Sequence, residues 1–411
     1  MRILLIAPKC FPLEGAESIV NIKLLQAFSQ YEDIQVDVVS RRHSKGVYPS
    51  DEIAAYHVRI GELCIVESYN KLNLKTAWQT FMCFLKFGSG FKGCVWAYVA
   101  LPYVRRLIKK NHYDFILTKS SPSFLLGAFF RKAGIPWVAS WNDPFPSGFY
   151  PAPYGRDNDH RPTFLETLML RQMRKADYHI FPSHNLLEHM VSYLRVDKER
   201  CKVIPHAIIP DARGDDRLRV AEASNDFTLH IIHSGNLSSP RDPTSFFTAM
   251  DNILAEHPDY RIQVAIMGSV AQDVLPSKER FPYLNERFVC IAPVEYNHAL
   301  SILTQYDLAC IIEANTNVGK GVFLPTKVTD FLQMGIPVMS VSPREGVLHS
   351  MYREGSIGYF CDVSDISSIE REIIKAYDDF THGGLKQGVV NPAFLPEGVV
   401  SSYRVIADCL K

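Results

Sequence analysis

The chain predicts an α/β protein of two Rossmann-like, doubly wound domains facing each other across a cleft. Three observations carry that prediction. Short apolar runs alternate with longer amphipathic stretches, the pattern of parallel strands joined by crossover helices. That series occurs twice, and the two occurrences are separated by residues 209–225, a polar, charged stretch containing Pro210 and Gly214. The length of 411 residues suits two domains at roughly 100–200 residues each.

Taken in order, the first series predicts strands over residues 2–7, 34–40, 114–118, 137–140, 178–181 and 201–204, with helices including 16–29 and 123–133. The second predicts strands over 228–233, 263–267, 288–291, 308–312, 338–341 and 358–361. Its helices include 244–255, 299–305, 326–334 and 366–377. These elements divide the chain into an N-terminal domain (1–208), a linker (209–225), a C-terminal domain (226–392) and a final helix (393–411) that packs back near the N-terminal domain. Doubly wound sheets bind ligands at the carboxyl ends of their strands, so a cleft facing both sheets is the expected site.

Composition excludes several classes. With 47% hydrophobic residues the chain is not disordered. Its nine cysteines are odd in number and form no CxxC pair or Cys/His ligand spacing, which fits reduced thiols and no metal site. The opening run RILLIA meets Pro8 and Lys9 too soon for a signal peptide, and no stretch of about 18 apolar residues exists, so a cytoplasmic protein is expected. Net charge is zero, but residues 1–210 hold 27 Lys and Arg against 18 Asp and Glu, while residues 211–411 hold 17 against 26. Either the basic half meets an anionic surface or the two halves attract one another. No nucleic-acid partner is expected.

Four strand–loop–helix segments carry candidate chemistry. In TLHIIHSGNLSSPRDPT, Gly235 lets a ligand approach the backbone and the following helix directs free amides at an anion. Arg241 in that loop either grips a diphosphate or forms a capping or surface pair with Asp242. In GKGVFLPTKVTDFLQMGIPV, a glycine-rich loop with Gly319 and Gly321 leads to Pro325 at a first helical position, then Thr326 and Lys327. Asp330, a turn further on, either accepts from ribose hydroxyls or is a solvated helix carboxylate. In PKCFPLEGAES, Gly15 and Ala16 open a helix start to a sugar or phosphate, although the three-glycine dinucleotide spacing is absent. In residues 135–155, Trp141, Asn142 and Asp143 lead into an aromatic, proline-rich loop, which is either an acceptor platform or a packed loop.

These segments, in this order, resemble the family 4 retaining glycosyltransferases of GT-B architecture, especially a bacterial polysaccharide-assembly branch. The resemblance spans nearly the whole chain. It rests on TKSSPSFLLGAFFRKAGIPWVASWNDPF, ADYHIFPSHNLLEHM, CKVIPHAI, HSGNLSSPRDP, APVEYNHALSILTQYDLACII and FLPTKVTDFLQMGIPVMSV. It implies that the C-terminal domain holds a nucleotide diphosphate sugar, that the N-terminal domain presents the acceptor, and that no metal or other cofactor is essential. Arg241 then matches the basic residue on the donor diphosphate, and Asp330 the acidic residue at the ribose. The chain also departs from the family. A second arginine falls at Asn236, a first acidic residue at Val322, and an active-site histidine at Asn142, with Asp143 retained.

The resemblance implies transfer with retention, assisted by the leaving phosphate, with Arg241 and Lys327 stabilising the charge on it. Asn142 and Asp143 join them as candidate catalytic residues, Asp143 either orienting the acceptor or polarising its hydroxyl. The acceptor is a glycan or a lipid-linked glycan. Residues 76–110 mix aromatics with Lys86, Lys92, Arg105, Arg106, Lys109 and Lys110. This stretch is either a peripheral contact with an anionic membrane surface or a core helix with a basic end. Two other functions stand beside transfer. One is a nucleotide-sugar epimerase of the same architecture. The other, prompted by Asn142, Asn236 and Val322, is a catalytically silent nucleotide-sugar-binding subunit.

Overall fold

The computed structural model describes the chain except residues 14, 43–48, 69–72, 92, 156–159, 211–226, 238 and 317–319. Most of the polar segment 209–225 lies outside the described residues. The chain forms two compact units. The first comprises Met1–Tyr150, Gly155–Ile209 and Pro392–Lys411, and the second Pro151–Tyr154 and Pro210–Asn391.

The sheet of the first unit contains β1 (Arg2–Ile6), β2 (Gln35–Arg42), β3 (Leu63–Glu67), β4 (Phe115–Lys119), β5 (Trp137–Ser140), β6 (Tyr178–Phe181) and β7 (Cys201–Val203). All seven are parallel, in the order β3-β2-β1-β4-β5-β6-β7. Strand order reverses between β1 and β4, so the ligand-binding edge of this sheet lies over the carboxyl ends of those strands. The central strands are continuous apolar runs because helices cover both faces. The edge strand β3, LCIVE, has no counterpart among the strands expected from the sequence. It is only half buried and its short run of alternating burial is a weak signal.

Among the described residues, the helices of the first part of the chain are α1 (Ala16–Ser29), α2 (Pro49–Ala55), α3 (Leu74–Phe87), α4 (Val95–Lys110), α5 (Phe124–Arg131), α6 (Phe164–Met173) and α7 (His184–Leu194). The basic aromatic stretch 76–110 resolves into two helices of opposite character. Helix α4 is a core helix that buries Trp96, Ala97, Ala100, Leu101, Val104 and Leu107 and ends in Lys109 and Lys110, where cations suit the helix dipole. Helix α3 begins with a capping box in which Asn73 and Thr76 exchange hydrogen bonds, and ends at Gly88 in the left-handed conformation. It buries only Cys83 and Phe87.

The second unit holds β8 (Leu229–Ser234), β9 (Ile262–Met267), β10 (Phe288–Ile291), β11 (Leu308–Ile312), β12 (Val338–Ser342) and β13 (Tyr359–Asp362), parallel in the order β10-β9-β8-β11-β12-β13. Its switch point lies between β8 and β11. The helices are α8 (Thr244–Glu256), α9 (Pro282–Asn285), α10 (Tyr296–Leu303), α11 (Thr326–Gln333), α12 (Val347–Arg353) and α13 (Ile366–His382). The last helix, α14 (Pro396–Cys409), belongs to the first unit. Val399, Val400, Tyr403 and Ile406 of α14 are part of that unit's core, and Tyr403 meets Phe28 of α1 edge to face at 5.1 Å.

Among the described residues no helix is long and apolar enough to cross a membrane, and no three His, Cys, Asp or Glu side chains gather as a metal-binding group.

Candidate functional site

The second unit concentrates the candidate residues at the carboxyl ends of β8 and β11, beside its switch point. Strand β8 ends at Ser234, and Gly235 turns away with φ of +128° while its N–H donates to the Met267 carbonyl at 2.7 Å. Glycine is favoured here by its backbone, and it also leaves room for a neighbouring side chain. The positive φ is costly for any other residue, and a Cβ would run into the Lys327 ammonium. Asn236 acts locally, accepting at its Oδ1 from the Ser269 N–H at 3.0 Å and so holding the exit of β9.

Helix α11 starts after Pro325, whose φ of −63° suits a helix entry, and no side chain caps it. Uncapped amides at Thr326 and Lys327 leave the positive end of the helix available to an anion. Lys327 Nζ lies 3.4 Å from His233 Nε2, and His233 Nδ1 lies 3.0 Å from the Cys310 carbonyl. A carbonyl only accepts, so Nδ1 carries the proton and Nε2 turns its lone pair to the ammonium. Burial and then Lys327 hold His233 well below the usual histidine range, so it is neutral. Burial and then the Arg241 charge bring Lys327 down to about 8.

Arg241 joins this group through Glu313, its Nε lying 3.7 Å from Oε1. Tyr154 donates to the other Glu313 oxygen at 3.3 Å, lies 5.8 Å beneath the Arg241 guanidinium, and meets Phe323 edge to face at 4.9 Å. Burial pushes the Glu313 carboxyl up, while Arg241 and Lys327 pull it down. A pocket of about 270 Å³ opens beside this cluster, lined by Tyr154, Glu313, Thr316, Gly321, Phe323 and Gly346 among others. A Cβ on Gly321 would approach the Gly346 Cα to 3.2 Å, so two backbones meet at that wall.

Asp330 is buried, and its Oδ1 accepts from the Tyr296 hydroxyl at 2.7 Å. The solvated-carboxylate alternative is therefore set aside. Val322 is a buried core residue, and Gly319 lies outside the described residues. Two participants are absent from the sequence-based expectations. Glu313 had a usable signal, standing directly after a fully apolar strand at its carboxyl end. Tyr154 stood inside the aromatic loop of residues 135–155, but nothing local tied it to Arg241 and Glu313, more than 80 residues further along the chain.

In the first unit, Gly15 caps α1 with φ of +107°, and a Cβ placed on it would meet nothing within 4 Å; Ala16 follows, exposed. Asp143 is exposed, and its charge helps raise the Tyr150 hydroxyl, which burial raises most. Trp141 departs from the acceptor-platform reading. It is 1% exposed, stacks on Phe145 and His179, and points its Nε1–H at His179 Nδ1 at 3.2 Å. An indole covered in this way is a packing element with no free face for a sugar ring. Asn142, next in the chain, has a buried Nδ2 with no hydrogen-bond partner among the described residues.

Residues 20–212 match the family model described as Glycosyltransferase Family 4. No curated protein sequence matches. Among solved structures, a glycosyltransferase from Rickettsia africae is 10% identical with a TM-score of 0.66, covering 100% of this chain and 98% of that one. Anabaena HepE, crystallised in complex with UDP, is 12% identical with a TM-score of 0.57 (100% and 97% covered). The UDP-GlcNAc 2-epimerase of Neisseria meningitidis, bound to UDP-GlcNAc, is 10% identical with a TM-score of 0.53 (100% and 99% covered). At such identities the likeness establishes the fold, and that fold is GT-B.

Proposed function

We propose, from the premise that this chain is a glycosyltransferase whose residues 20–212 match the Glycosyltransferase Family 4 model, that it moves a sugar from a nucleoside diphosphate sugar to a glycan or lipid-linked acceptor. The observation that carries this reading is the pairing of Lys327 and Arg241 with the uncapped start of α11, all at one strand-end site beside Gly235. Two cations and a row of amides suit a pyrophosphate, and the adjoining pocket at Gly321 and Phe323 suits the sugar.

In the reaction, the bond between the anomeric carbon and the diphosphate oxygen breaks. Negative charge grows on the diphosphate while positive charge spreads over the sugar ring. Lys327, Arg241 and the α11 amides are fixed where the first charge develops, which is where they lower the barrier. The acceptor hydroxyl attacks the anomeric carbon from the face the diphosphate leaves and gives up its proton to the departing phosphate oxygen. The anomeric configuration is thereby retained. No metal or cofactor enters this scheme. Assembly of a surface polysaccharide is the cellular role this reading implies.

Peripheral attachment to an anionic membrane is the finer part of the reading, and α3 supports it. Its exposed side carries Leu74 (92% exposed), Trp78 (61%), Phe81 (51%) and Leu85 (60%), positions that share one helix face. Lys75 and Lys86 are exposed on the same helix. An apolar face flanked by lysines is the pattern of a helix lying in a bilayer interface.

The test of transfer is a panel of nucleoside diphosphate sugars assayed with Arg241→Ala and Lys327→Met. Each substitution should lower kcat/KM about 100-fold or more, the usual cost of one transition-state donor. Turnover near wild type in both variants would refute the assignment. Epimerisation of the donor without transfer would favour the epimerase.

A further inference from the structure

The first unit contains a second pocket, and nothing in the scheme above uses its chemistry. It is an open pocket of about 300 Å³ over the carboxyl ends of β4, β5, β6 and β7 and is lined by Lys119, Ser140, Asn142, His206 and Tyr403, with Val20 and Leu24 of α1. Its polar lining supplies mainly donors. Lys119, the last residue of β4, is 4% exposed and donates to Ser140 Oγ at 2.9 Å. A hydroxyl leaves the charge of a buried ammonium uncompensated. The Glu17 carboxylate, whose field reaches Lys119, is already engaged by Lys9 at 3.1 Å. Asn142 Nδ2 is buried with no partner among the described residues. His206 is buried as well, and the charges of Lys119 and of Lys23, a buried lysine on α1, both act on it.

From this constellation we infer that the pocket framed by Lys119, Asn142 and His206 is a phosphate-binding subsite. A phosphoryl oxyanion is the ligand that all three groups can serve together. It compensates the Lys119 charge, accepts from the Asn142 amide, and takes a hydrogen bond from the His206 ring. The carboxyl edge beside the β1/β4 switch point is also where a doubly wound sheet collects ligands. Burial and neighbouring positive charge hold His206 at about 3, and burial holds Lys119 at about 8, directions that a bound anion reverses. The inference rests on the transfer reading in taking the phosphate to be part of a reactant. That phosphate belongs either to a phosphorylated acceptor or to the donor's diphosphate.

The experiment uses the full chain carrying Arg241→Ala and Lys327→Met, which removes the diphosphate grip of the second unit. Calorimetric titration with methyl phosphate should still show binding. Adding Lys119→Met should weaken it about tenfold or more, as expected for a lost charge-assisted hydrogen bond, and Lys119→Arg should restore most of it. Thermal unfolding guards against misfolding. In phosphate-free buffer Lys119→Met should unfold at or above the parent temperature, because a buried charge has been removed, and phosphate should no longer raise that temperature. The source of the phosphate is read from UDP titrations of Lys119→Met in the otherwise wild-type chain. Weakened UDP binding assigns the subsite to the donor, and unchanged UDP binding together with lost methyl phosphate binding assigns it to the acceptor. Equal methyl phosphate affinity with and without Lys119 overturns the inference, whatever the sugar-transfer assay shows.

Discussion

At the scale of single residues, the electrostatics of the second unit turn on Lys327. Burial and Arg241 hold its ammonium at about 8, below the free value of 10.5. Between those two values the unfolded chain binds a proton that the folded chain does not, so this lysine makes stability rise with pH across that window. Anion binding has the opposite slope, because it needs the protonated form. UDP affinity, measured by calorimetry, should therefore fall about tenfold at pH 9 relative to pH 7. Lys327→Arg should flatten that dependence, since a guanidinium does not titrate there. A wild-type affinity independent of pH over this range would remove Lys327 from the diphosphate site. Glu313 and Tyr154 act beside it as positioning groups, holding Arg241 through one ion pair and one ring face.

At the scale of elements, α3 and α4 show that one composition can serve opposite ends. Both are rich in aromatic and basic residues, yet α4 turns its apolar side inward and α3 turns it outward. Helix α3 buries Cys83 and Phe87 and leaves Trp78 and Phe81, whose rings lie 5.7 Å apart, at the surface. A cluster of exposed aromatic side chains is costly in water and is typical of a surface that meets lipid or protein. Trp78→Ser combined with Phe81→Ser should reduce co-sedimentation with anionic vesicles by about tenfold or more while leaving the unfolding temperature unchanged or slightly raised. Lys75→Glu with Lys86→Glu should weaken binding at low salt most strongly. Vesicle binding that survives both pairs would place any membrane contact elsewhere.

At the scale of the whole molecule, the chain leaves the first unit and returns to it. Helix α14 follows all of the second unit's strands in sequence and completes the first unit's core with Val399, Val400, Tyr403 and Ile406. Removing a buried aromatic side chain of this kind costs roughly 3–5 kcal/mol, a large part of the roughly 5–15 kcal/mol that ordinarily separates folded from unfolded. Tyr403→Ala should accordingly lower the stability of the first unit by about that amount in chemical denaturation. UDP affinity of the folded variant should stay within about twofold if the pocket that Tyr403 lines serves the acceptor, and should fall if it serves the donor.

Much of this was legible along the chain, because the signals were local. Buried parallel strands are continuous apolar runs, so most of the sheet could be read directly, and Gly235, Pro325 and Lys327 stand where strand ends and helix starts require their backbone or charge. The weakly patterned edge strand β3 escaped for lack of such a run. Tertiary structure alone decided what depends on distant partners. Folding buried Trp141 between Phe145 and His179, set Glu313 and Tyr154 beside Arg241, and turned α3's aromatic face outward. Periodicity specifies which residues share a face, but only packing against elements remote in sequence determines whether that face meets the core, a ligand or solvent.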